Sequence, residues 1–400
     1  MDKKVTYAEA ILVEEAIKAP KDFKDLNGPK DRQATAGRIL VAGNRSGGVA
    51  VAAMRRWPEA EVIAHAFDYH HARAIRKRLL DEGLPARNVR CSAGVGVDGT
   101  DALQPAEDAR RPFDVALFMT TPQSMPAELA LDQLQDIHAN LTEGGTLYAA
   151  FEGDPDDALK TMRLVWKSVN VLKRAKHAAL FKAVKHGPPV KTRDFASTWE
   201  ASVPGGEPLA FTTYPGCFCH RRPDAGGLAL AEVAAREVNG ESRKMKDDVL
   251  APDLSPFTIL DMGCGCGLVG LLVADAIRRQ SSISNLQSTI TLIDSHARAI
   301  AAAKANAARA GIEAEFILAD DGLPRGRVGE YDLFVGNPPY YSDYRIAEVF
   351  LETAYRAIKP GGICLTVVKT ATGLLALQEK YFRKAEIIKR RGYCVLRSVR

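Results

Sequence analysis

The residues best suited to chemistry in this chain form one short run, Asn337-Pro338-Pro339-Tyr340. They follow the apolar stretch from 331 to 336, which predicts a buried strand. The side-chain oxygen of Asn337 and the carbonyl of Pro338 can each accept a hydrogen bond from an NH2 group. Neither proline has an N–H, both have a fixed φ, and Tyr340 offers a flat face on which a base can stack. These four residues are therefore the predicted catalytic residues, holding a planar nitrogen for group transfer; an ordinary Asn-Pro turn is the alternative.

A glycine-rich turn in the same half of the chain predicts a nucleotide-type cofactor site. An apolar run from 257 to 260 precedes this turn, and a helical pattern of apolar residues follows it from 268 to 277. Glycines let the backbone approach a ligand and permit positive φ. A dehydrogenase is the competing use of such a turn. The predicted cofactor contacts in the turn are Asp261, Gly263, Cys264, Gly265 and Gly267.

Acidic residues stand at the ends of the next two predicted strands. The strand from 289 to 293 leads to Asp294 and Ser295, and the strand from 314 to 318 leads to Asp320. A carboxylate at the first position can hold two ribose hydroxyls, and one at the second can accept a hydrogen bond from an adenine amine. Ligands of open α/β sheets bind at the carboxyl ends of the strands. Asp294, Ser295, Asp320 and Asn337 are therefore predicted to contact the cofactor together.

The whole chain has the composition of a globular protein that is large enough for two domains. It has 400 residues, of which 46% are hydrophobic and 26% are charged. No run of about 18 apolar residues predicts a membrane span, and the first four residues lack the apolar core of a signal peptide. Seven cysteines, an odd number, favour reduced thiols and a cytoplasmic location. Cys217, Cys219 and His220 form an incomplete set of zinc ligands, so no metal is expected.

The formal net charge of +5 is mild, but basic residues cluster in two stretches. One runs from 173 to 193. In the other, from 379 to 400, only Glu379 and Glu386 oppose the basic residues. Lys369 follows the predicted strand from 363 to 368 and is expected to lie near the predicted catalytic residues. All of these cations suit contacts with RNA phosphates, and solvated surfaces are the alternative.

The first half of the chain repeats the order of elements in the second half. A strand and a glycine turn from 38 to 48 are followed by a strand that ends in Asp68. The pentapeptide His-Ala-Arg-Ala-Ile occurs at 71–75 and again at 296–300, each time soon after the acidic strand end. Since the same order recurs at similar spacing, the sequence predicts a duplication.

The two predicted copies differ at the positions that would carry chemistry. Where the second half has Asn337 and two prolines, the first half has the run Met119-Thr120-Thr121-Pro122, and its glycine turn carries the bulky, charged Arg45. Residues 1–187 are therefore predicted to keep the fold without catalysis, as a structural or RNA-docking domain. A breaker cluster at 187–189 sets this boundary. Residues 188–250 are predicted to be a linker and a cofactor-covering segment, and residues 251–400 the catalytic domain.

The order of these motifs resembles the class I S-adenosylmethionine-dependent methyltransferases that modify amino nitrogens. Two such halves, the first of them degenerate, resemble the bacterial ribosomal RNA guanine-N2 methyltransferases. The C type, which modifies 16S rRNA, is the first match, and the G type, which modifies 23S rRNA, is the next. The likeness runs from about residue 38 to residue 397. It is strongest at Tyr214-Pro215-Gly216-Cys217-Phe218, where the family has Leu-Pro-Gly-Val-Phe. The resemblance places Phe218 and Asp224 on the segment that covers the cofactor.

This resemblance implies an α/β fold of two tandem Rossmann-like class I methyltransferase domains, with the N-terminal copy degenerate. It implies transfer of a methyl group from S-adenosyl-L-methionine to the exocyclic N2 amine of a guanine in ribosomal RNA, with 16S rRNA as the first choice. The expected partner is ribosomal RNA or an assembled ribosomal subunit, with no membrane, and the protein is expected to be a monomer.

Two departures from the family leave the target open. Tyr340-Tyr341 stands where the family usually has Phe followed by a small residue or His, and residues 219–224 differ from the family's Ser-Arg-Asp-Gly-Leu-Asp. A guanine of 23S rRNA, adenine N6 and a protein glutamine amide therefore remain alternative substrates. A non-catalytic RNA-binding protein is the third hypothesis.

Overall fold

The computed structural model divides into two compact units, Met1–Phe195 and Ala196–Arg400. Among the described residues, no helix is long and apolar enough to cross a bilayer. The structure describes residues 6–18, 37–43, 45–95, 111–121, 125, 127–238, 256–280, 288–339 and 344–400.

The first unit is built around a mostly parallel sheet. Its described strands are β1 (Arg38–Ala42), β2 (Glu61–Ala66), β3 (Val89–Cys91), β4 (Phe113–Thr120), β5 (Leu141–Glu152), β6 (Val169–Ala175) and β7 (Ala178–Val184). Its described helices are α1 (Tyr7–Ile11), a π-helical segment (Leu12–Lys18), α2 (Gly48–Arg56), α3 (Tyr69–Asp81), α4 (Ala127–Asn140) and α5 (Pro155–Arg163). The strand order is β3-β2-β1-β4-β5-β7-β6, in which β7 is antiparallel to both of its neighbours.

The second unit has a sheet of the same design, preceded by a hairpin and a helix. The hairpin strands and the helix are β8 (Ser197–Ala201), β9 (Leu209–Thr213) and α6 (Ala225–Val238). The sheet strands are β10 (Phe257–Met262), β11 (Ser288–Asp294), β12 (Ala314–Leu318), β13 (Tyr331–Gly336), β14 (Ile358–Val368), β15 (Glu386–Arg390) and β16 (Tyr393–Val399). The helices are α7 (Leu268–Gln280), α8 (Ala297–Ala310), α9 (Arg345–Ala357) and α10 (Thr372–Phe382). The strand order is β12-β11-β10-β13-β14-β16-β15.

The two sheets match in detail as well as in order. Each has a register shift at the start of its fourth strand, between Phe113 and Val115 in the first unit and between Tyr331 and Leu333 in the second. In each sheet, an aspartate of that fourth strand accepts a hydrogen bond from a backbone N–H near the start of the central strand. Asp114 accepts from Arg38 of β1, and Asp332 accepts from Thr258 of β10. The predicted fold class, with two tandem Rossmann-like domains, is confirmed.

Successive side chains of a strand point to opposite faces of the sheet, and in the second unit they build an apolar layer on each face. Leu333 and Val335 of β13 pack in one layer with α6, α7 and α8, whereas Phe334 packs in the other layer with α9 and α10. A parallel strand covered on both faces has to be apolar throughout, which is why β13 reads as a continuous apolar run. The strand ends, by contrast, emerge at an edge where polar groups can meet a ligand.

The segment after β7 packs within the first unit. The backbone N–H groups of Val190 and Lys191 donate to the carbonyls of Val165 and Leu164, and Phe195 is buried in the apolar core of this unit. The breaker cluster at 187–189 therefore does not end the compact unit, which continues to Phe195. The predicted linker from 188 to 250 holds the β8–β9 hairpin and α6; its last residues, 239–250, lie outside the described part of the chain.

Candidate active site

The glycine turn between β10 and α7 is held by the backbone and leaves one position open. The N–H groups of Gly263 and Cys264 both donate to the carbonyl of Ile293, at 2.8 and 2.9 Å. Gly265 has a φ of +55°, and a Cβ added there would meet no atom within 4 Å. At Gly263, by contrast, an added Cβ would lie 2.8 Å from the ring of Phe350. The turn thus leaves open space beside Gly265, as a cofactor that lies against glycine requires.

Asp294, the last residue of β11, holds the backbone at Gly265 in place. One carboxylate oxygen accepts a hydrogen bond from the N–H of Gly265 and the other accepts one from the N–H of His296, both at 2.8 Å. A carboxylate can accept several hydrogen bonds at once, and ribose hydroxyls are donors of the kind that it can hold. Ser295 and Asp320 are partly exposed, and Asp320 comes just after β12, which is the neighbour of β11 in the sheet. The predicted cofactor residues at these two strand ends therefore share one edge.

Asp261 has a supporting position beneath the turn. Its side chain is 2% exposed, and its carboxylate accepts a hydrogen bond from the N–H of Gly270, in the first turn of α7, at 2.8 Å. Burial raises the pKa of Asp261 to about 7, although this hydrogen bond opposes the shift. A Cβ at Gly270 would lie 2.7 Å from the side chain of Ile290, so only glycine permits this approach. Asp261 thus anchors the helix behind the turn.

Asn337 emerges beside the glycine turn because of the strand register. Met262, the last residue of β10, pairs with Gly336, the last residue of β13. Asn337 is half-buried, Pro338 is buried, and Pro339 is partly exposed. Tyr340 lies outside the described residues, so its proposed stacking role stays a prediction. The register brings the Asn-Pro-Pro run and the turn to the same edge of the sheet.

The side chain of Asn337 is held by Asp224. Its Nδ2 donates a hydrogen bond to a carboxylate oxygen of Asp224 at 2.9 Å, and the same oxygen accepts one from the N–H of Gly227 at 2.6 Å. A carboxylate only accepts hydrogen bonds, so the NH2 group of Asn337 must face Asp224. The amide oxygen of Asn337 is thereby directed to the other side. Sequence reasoning placed Asp224 on the cofactor-covering segment and missed this contact, since 113 residues separate the two side chains.

Phe218 does not pack into the second unit. Its side chain is 68% exposed, whereas its neighbour Cys217 is buried. A buried packing role, which is the ordinary alternative for an aromatic residue in this position, is therefore wrong for Phe218. An exposed ring on the segment before α6 is still available to a ligand. The sequence alone gives no signal for this exposure, because an aromatic residue beside an apolar strand is usually buried.

Cys219 and His220, in the segment before α6, contact different residues. Cys219 lies 3.7 Å from Asp224 through its Sγ, and the hydroxyl of Thr213 contacts His220. Burial raises the pKa of the Cys217 thiol to about 11, which keeps it protonated near neutral pH. Within the described ranges, no group of three His, Cys, Asp or Glu side chains is placed to hold a metal ion.

In the first unit, the corresponding turn is filled by the chain itself. Glu9 of α1 is 3% exposed, and its carboxylate accepts a hydrogen bond from the hydroxyl of Ser46 at 2.6 Å. A Cβ added at Gly48 would lie 1.9 Å from the same carboxylate oxygen. Arg45 occupies the position that matches Gly265. The sequence indicated Arg45 as the obstacle but gave no sign of Glu9, which comes from a segment well before the turn.

Several basic residues near the end of the chain are paired with acids on α6. The guanidinium groups of Arg390 and Arg391 both contact the carboxylate of Glu232, which is 1% exposed. Arg397 contacts Glu237, also on α6. The acidic residues within the stretch are Glu379 and Glu386, and nothing in the sequence indicated these partners on α6. Contacts of the basic stretch with RNA phosphates stay a prediction. Lys389 is exposed.

A mostly parallel sheet with an open glycine turn, an acidic strand end and an Asn-Pro-Pro run at one edge defines a class I methyltransferase. Residues 208–397 match the family model described as "Methyltransferase small domain". The "Ribosomal RNA small subunit methyltransferase C" of Pseudomonas entomophila is 29% identical over 373 residues, which cover 91% of this chain and 95% of that protein. The "Ribosomal RNA large subunit methyltransferase G" of Pseudomonas paraeruginosa is 26% identical, over 90% of this chain and 87% of that protein.

A solved structure shares the whole two-unit architecture. The 16S rRNA N2 G1207 methyltransferase of T. thermophilus, in complex with AdoMet and guanosine, superposes with a TM-score of 0.67 and 17% identity, over 97% of this chain and 91% of that one. That likeness shows the fold. Over most of its length the chain is thus similar to C-type and G-type ribosomal RNA methyltransferases, and its second half carries the methyltransferase domain. The predictions of this family, of a methyltransferase and of S-adenosylmethionine as its methyl donor are confirmed, and the dehydrogenase alternative is wrong.

Proposed function

We propose that the second unit transfers a methyl group to the exocyclic N2 amine of a guanine in ribosomal RNA, with 16S rRNA as the substrate. The observation that carries this proposal is the fixed amide of Asn337, whose NH2 group is held by Asp224 beside the open glycine turn. An amide oxygen held at that edge is an acceptor for an NH2 group. The names of the relatives and of the solved structure support the choice of guanine N2 and of 16S rRNA.

The residues at the carboxyl edge fit the methyl donor. When bound, S-adenosylmethionine supplies an electrophilic methyl group. The carboxylate of Asp294 would hold its ribose hydroxyls, and Asp320 would accept from its adenine amine, with Ser295 beside them. The backbone at Gly265 leaves room for the close approach. Asp261 would act indirectly, because its carboxylate is occupied by the N–H of Gly270 beneath the turn.

The main catalytic task of the protein would be to position the amine of the guanine relative to the methyl group. The N2 amine of guanine is a poor nucleophile, since its lone pair is delocalised into the ring. The side-chain oxygen of Asn337 and the carbonyl of Pro338 would each accept a hydrogen bond from one of its two N–H groups and so aim the lone pair at the methyl group. The two oxygens would also stabilise the positive charge that develops on the nitrogen. No side chain has to act as a strong base, because solvent can take the proton afterwards.

Asp224 is proposed as a positioning residue for this reaction. It contacts Asn337 and not the substrate, and its hydrogen bond fixes the orientation of the Asn337 amide. Its carboxylate also accepts from the N–H of Gly227 in the first turn of α6. An amide that could rotate freely would present NH2 and oxygen in turn, and its NH2 would repel the donor groups of the amine. The carboxylate removes that ambiguity before substrate binds.

The target base must leave its stack to reach this edge, because a stacked amine cannot enter such a site. Tyr340 is the proposed stacking face. The first unit, whose turn is filled by Glu9, is proposed to have no catalytic activity and to serve as a structural or RNA-docking domain. The proposed partner is free ribosomal RNA or an assembled ribosomal particle that contains it.

Nucleoside mass spectrometry of ribosomal RNA from a strain that lacks the gene tests the proposed function. We expect N2-methylguanosine to be reduced in 16S rRNA and restored when the purified protein and S-adenosylmethionine are added. Loss of N6-methyladenosine instead, or unchanged nucleosides in both ribosomal RNAs, would contradict it.

A further inference from the structure

Lys369 lies at the same edge of the sheet as Asn337. It follows β14 directly, and β14 is the strand next to β13, with Thr366 paired to Gly336. Its side chain is exposed, and its ammonium nitrogen lies 4.4 Å from the centre of the Tyr393 ring. In the part of the chain that the structure describes, no carboxylate pairs with Lys369. The cation is thus held in place by a ring and carries its charge toward solvent.

A short series of contacts connects Lys369 to the proposed catalytic amide. A Cβ added at Gly226 would lie 3.2 Å from the ring of Tyr393 and 3.1 Å from the carboxylate of Asp224. Asp224 in turn holds Asn337. Because Gly226 has no side chain, the ring that carries Lys369 can lie against the beginning of α6, next to the pair that positions the amide. Lys369 and Asn337 therefore flank the same small area of the edge.

The neighbouring arginines brace this arrangement. Arg390, the last residue of β15, and Arg391, in the turn of the β15–β16 hairpin, are both bound to the buried carboxylate of Glu232. The turn continues into Gly392 and Tyr393. The carboxylate of Glu232 balances one of these two positive charges, and the contacts fix the hairpin to α6. A ligand anion that approaches the edge meets Lys369 as the less compensated charge.

We propose that Lys369 binds a backbone phosphate of the RNA strand beside the guanine that is methylated. This inference rests on the proposed function and names the phosphodiester as the second recognised group of the substrate. A base that has left its stack remains bonded to its own sugar and phosphates, so an amine at Asn337 brings a phosphate to the same edge. A lysine ammonium is a compact point charge that suits a phosphate oxygen, and the ring of Tyr393 limits the conformations it must lose on binding.

The test compares Lys369→Met with Lys304→Met. Lys304, on α8, is an exposed lysine whose ammonium also lies over an aromatic ring, at 5.8 Å from the centre of Phe316, near the opposite end of the sheet. Binding of deproteinised 16S rRNA from the deletion strain is measured over a series of salt concentrations. For Lys369→Met we expect affinity to fall about tenfold at low salt, as for loss of one charged hydrogen bond, and the slope against log salt to fall by about one. Lys304→Met should match the parent.

Two further readouts separate a phosphate contact from a structural effect. Affinity for S-adenosylmethionine and for guanosine, a nucleoside without phosphate, should be the same in Lys369→Met and in the parent, and Lys369→Arg should restore most of the RNA affinity. An unchanged salt slope in Lys369→Met, or an equal loss in Lys304→Met, would overturn the inference and leave the proposed function standing. A parent protein that shows the Lys369-dependent slope but transfers no methyl group to RNA would overturn the proposed function and support the phosphate site.

Discussion

The two glycine turns of this chain show how one fold keeps or loses a binding site. In the second unit, Gly265 faces open space, and Asp294 fixes its N–H from the neighbouring strand end. In the first unit, Arg45 stands at the matching position, and Glu9 fills the space against Gly48. The strand order is nevertheless the same in both sheets. The fold depends on apolar strands and their layers, whereas the site depends on a few small residues at the strand ends.

The largest expected difference between the turns is in cofactor binding. Asp294→Ala should abolish S-adenosylmethionine binding, because it removes both the ribose acceptor and the anchor of Gly265. Asp68→Ala should leave binding unchanged, since Asp68 accepts from the N–H of His70 at the start of α3 in the filled copy. Calorimetry on both variants and the parent measures this. Two cofactor molecules per chain, or loss of binding in Asp68→Ala, would break the comparison.

Placing the first turn's residue in the second turn should close the site. Gly265→Arg is expected to abolish or greatly weaken cofactor binding, because the side chain would enter the open space. The protein should still fold, at a cost of about 1 kcal/mol for a non-glycine residue at positive φ. Gly329→Arg is the matched control: it has a φ of +66°, and an added Cβ there also meets no atom within 4 Å. Equal binding by both variants would show that the open turn does not hold the cofactor.

A smaller effect, on turnover, is expected when Asp224 is replaced, because Asp224 holds the amide of Asn337. Asp224→Ala should lower turnover about tenfold or more with little change in cofactor affinity, because the amide of Asn337 loses its charged partner. Asp224→Asn, which keeps an acceptor oxygen, should retain more activity. Asp154→Ala controls for loss of a helix cap, since Asp154 caps α5 of the first unit; it should cost about 1 kcal/mol of stability without changing turnover. Parental turnover in Asp224→Ala would argue against the positioning role.

A different kind of effect, a pH dependence of stability, is expected from the buried carboxylate of Asp261. The folded pKa of Asp261 is about 7, above its ordinary value near 4, so the folded state binds more protons than the unfolded state between these pH values. This group therefore makes the protein less stable as pH rises from about 4 to about 7. Asp261→Asn should remove that contribution while keeping an acceptor for Gly270. Urea unfolding at pH 5 and pH 7 measures it; an equal change in stability between the two pH values in parent and variant would contradict the assignment.

Much of the fold and of the site's location could be predicted from local patterns. Apolar runs such as 331–336 have to be buried strands, and polar residues directly after them have to meet at one edge. That reasoning needs only neighbours in sequence, and it placed Asn337 and Asp294 at the edge where the structure has them. The duplication was predictable for the same reason, because both halves repeat one order of elements.

The remaining features depend on contacts between distant segments, which local patterns do not encode. Glu9 reaches a turn that begins more than thirty residues later, and Asp224 meets Asn337 from another element. Glu232 is a surface acid by its sequence context, yet it is buried because two arginines of the final hairpin cover it. Each of these side chains finds its role only when the sheet is assembled.

Methyl transfer by Asn337→Ala is the measurement that tests the proposed site most directly. Tritiated methyl incorporation into 16S rRNA from the deletion strain is compared with the parent, with cofactor affinity determined in parallel. Removal of one of the two acceptors that orient the amine should lower the rate by about 10²–10³, while S-adenosylmethionine binds about as well as to the parent. Asn337→Asp, which keeps acceptor oxygens of similar size, should retain more activity than Asn337→Ala. Turnover near that of the parent in Asn337→Ala would show that the Asn-Pro-Pro run is a structural turn and would contradict the proposed mechanism.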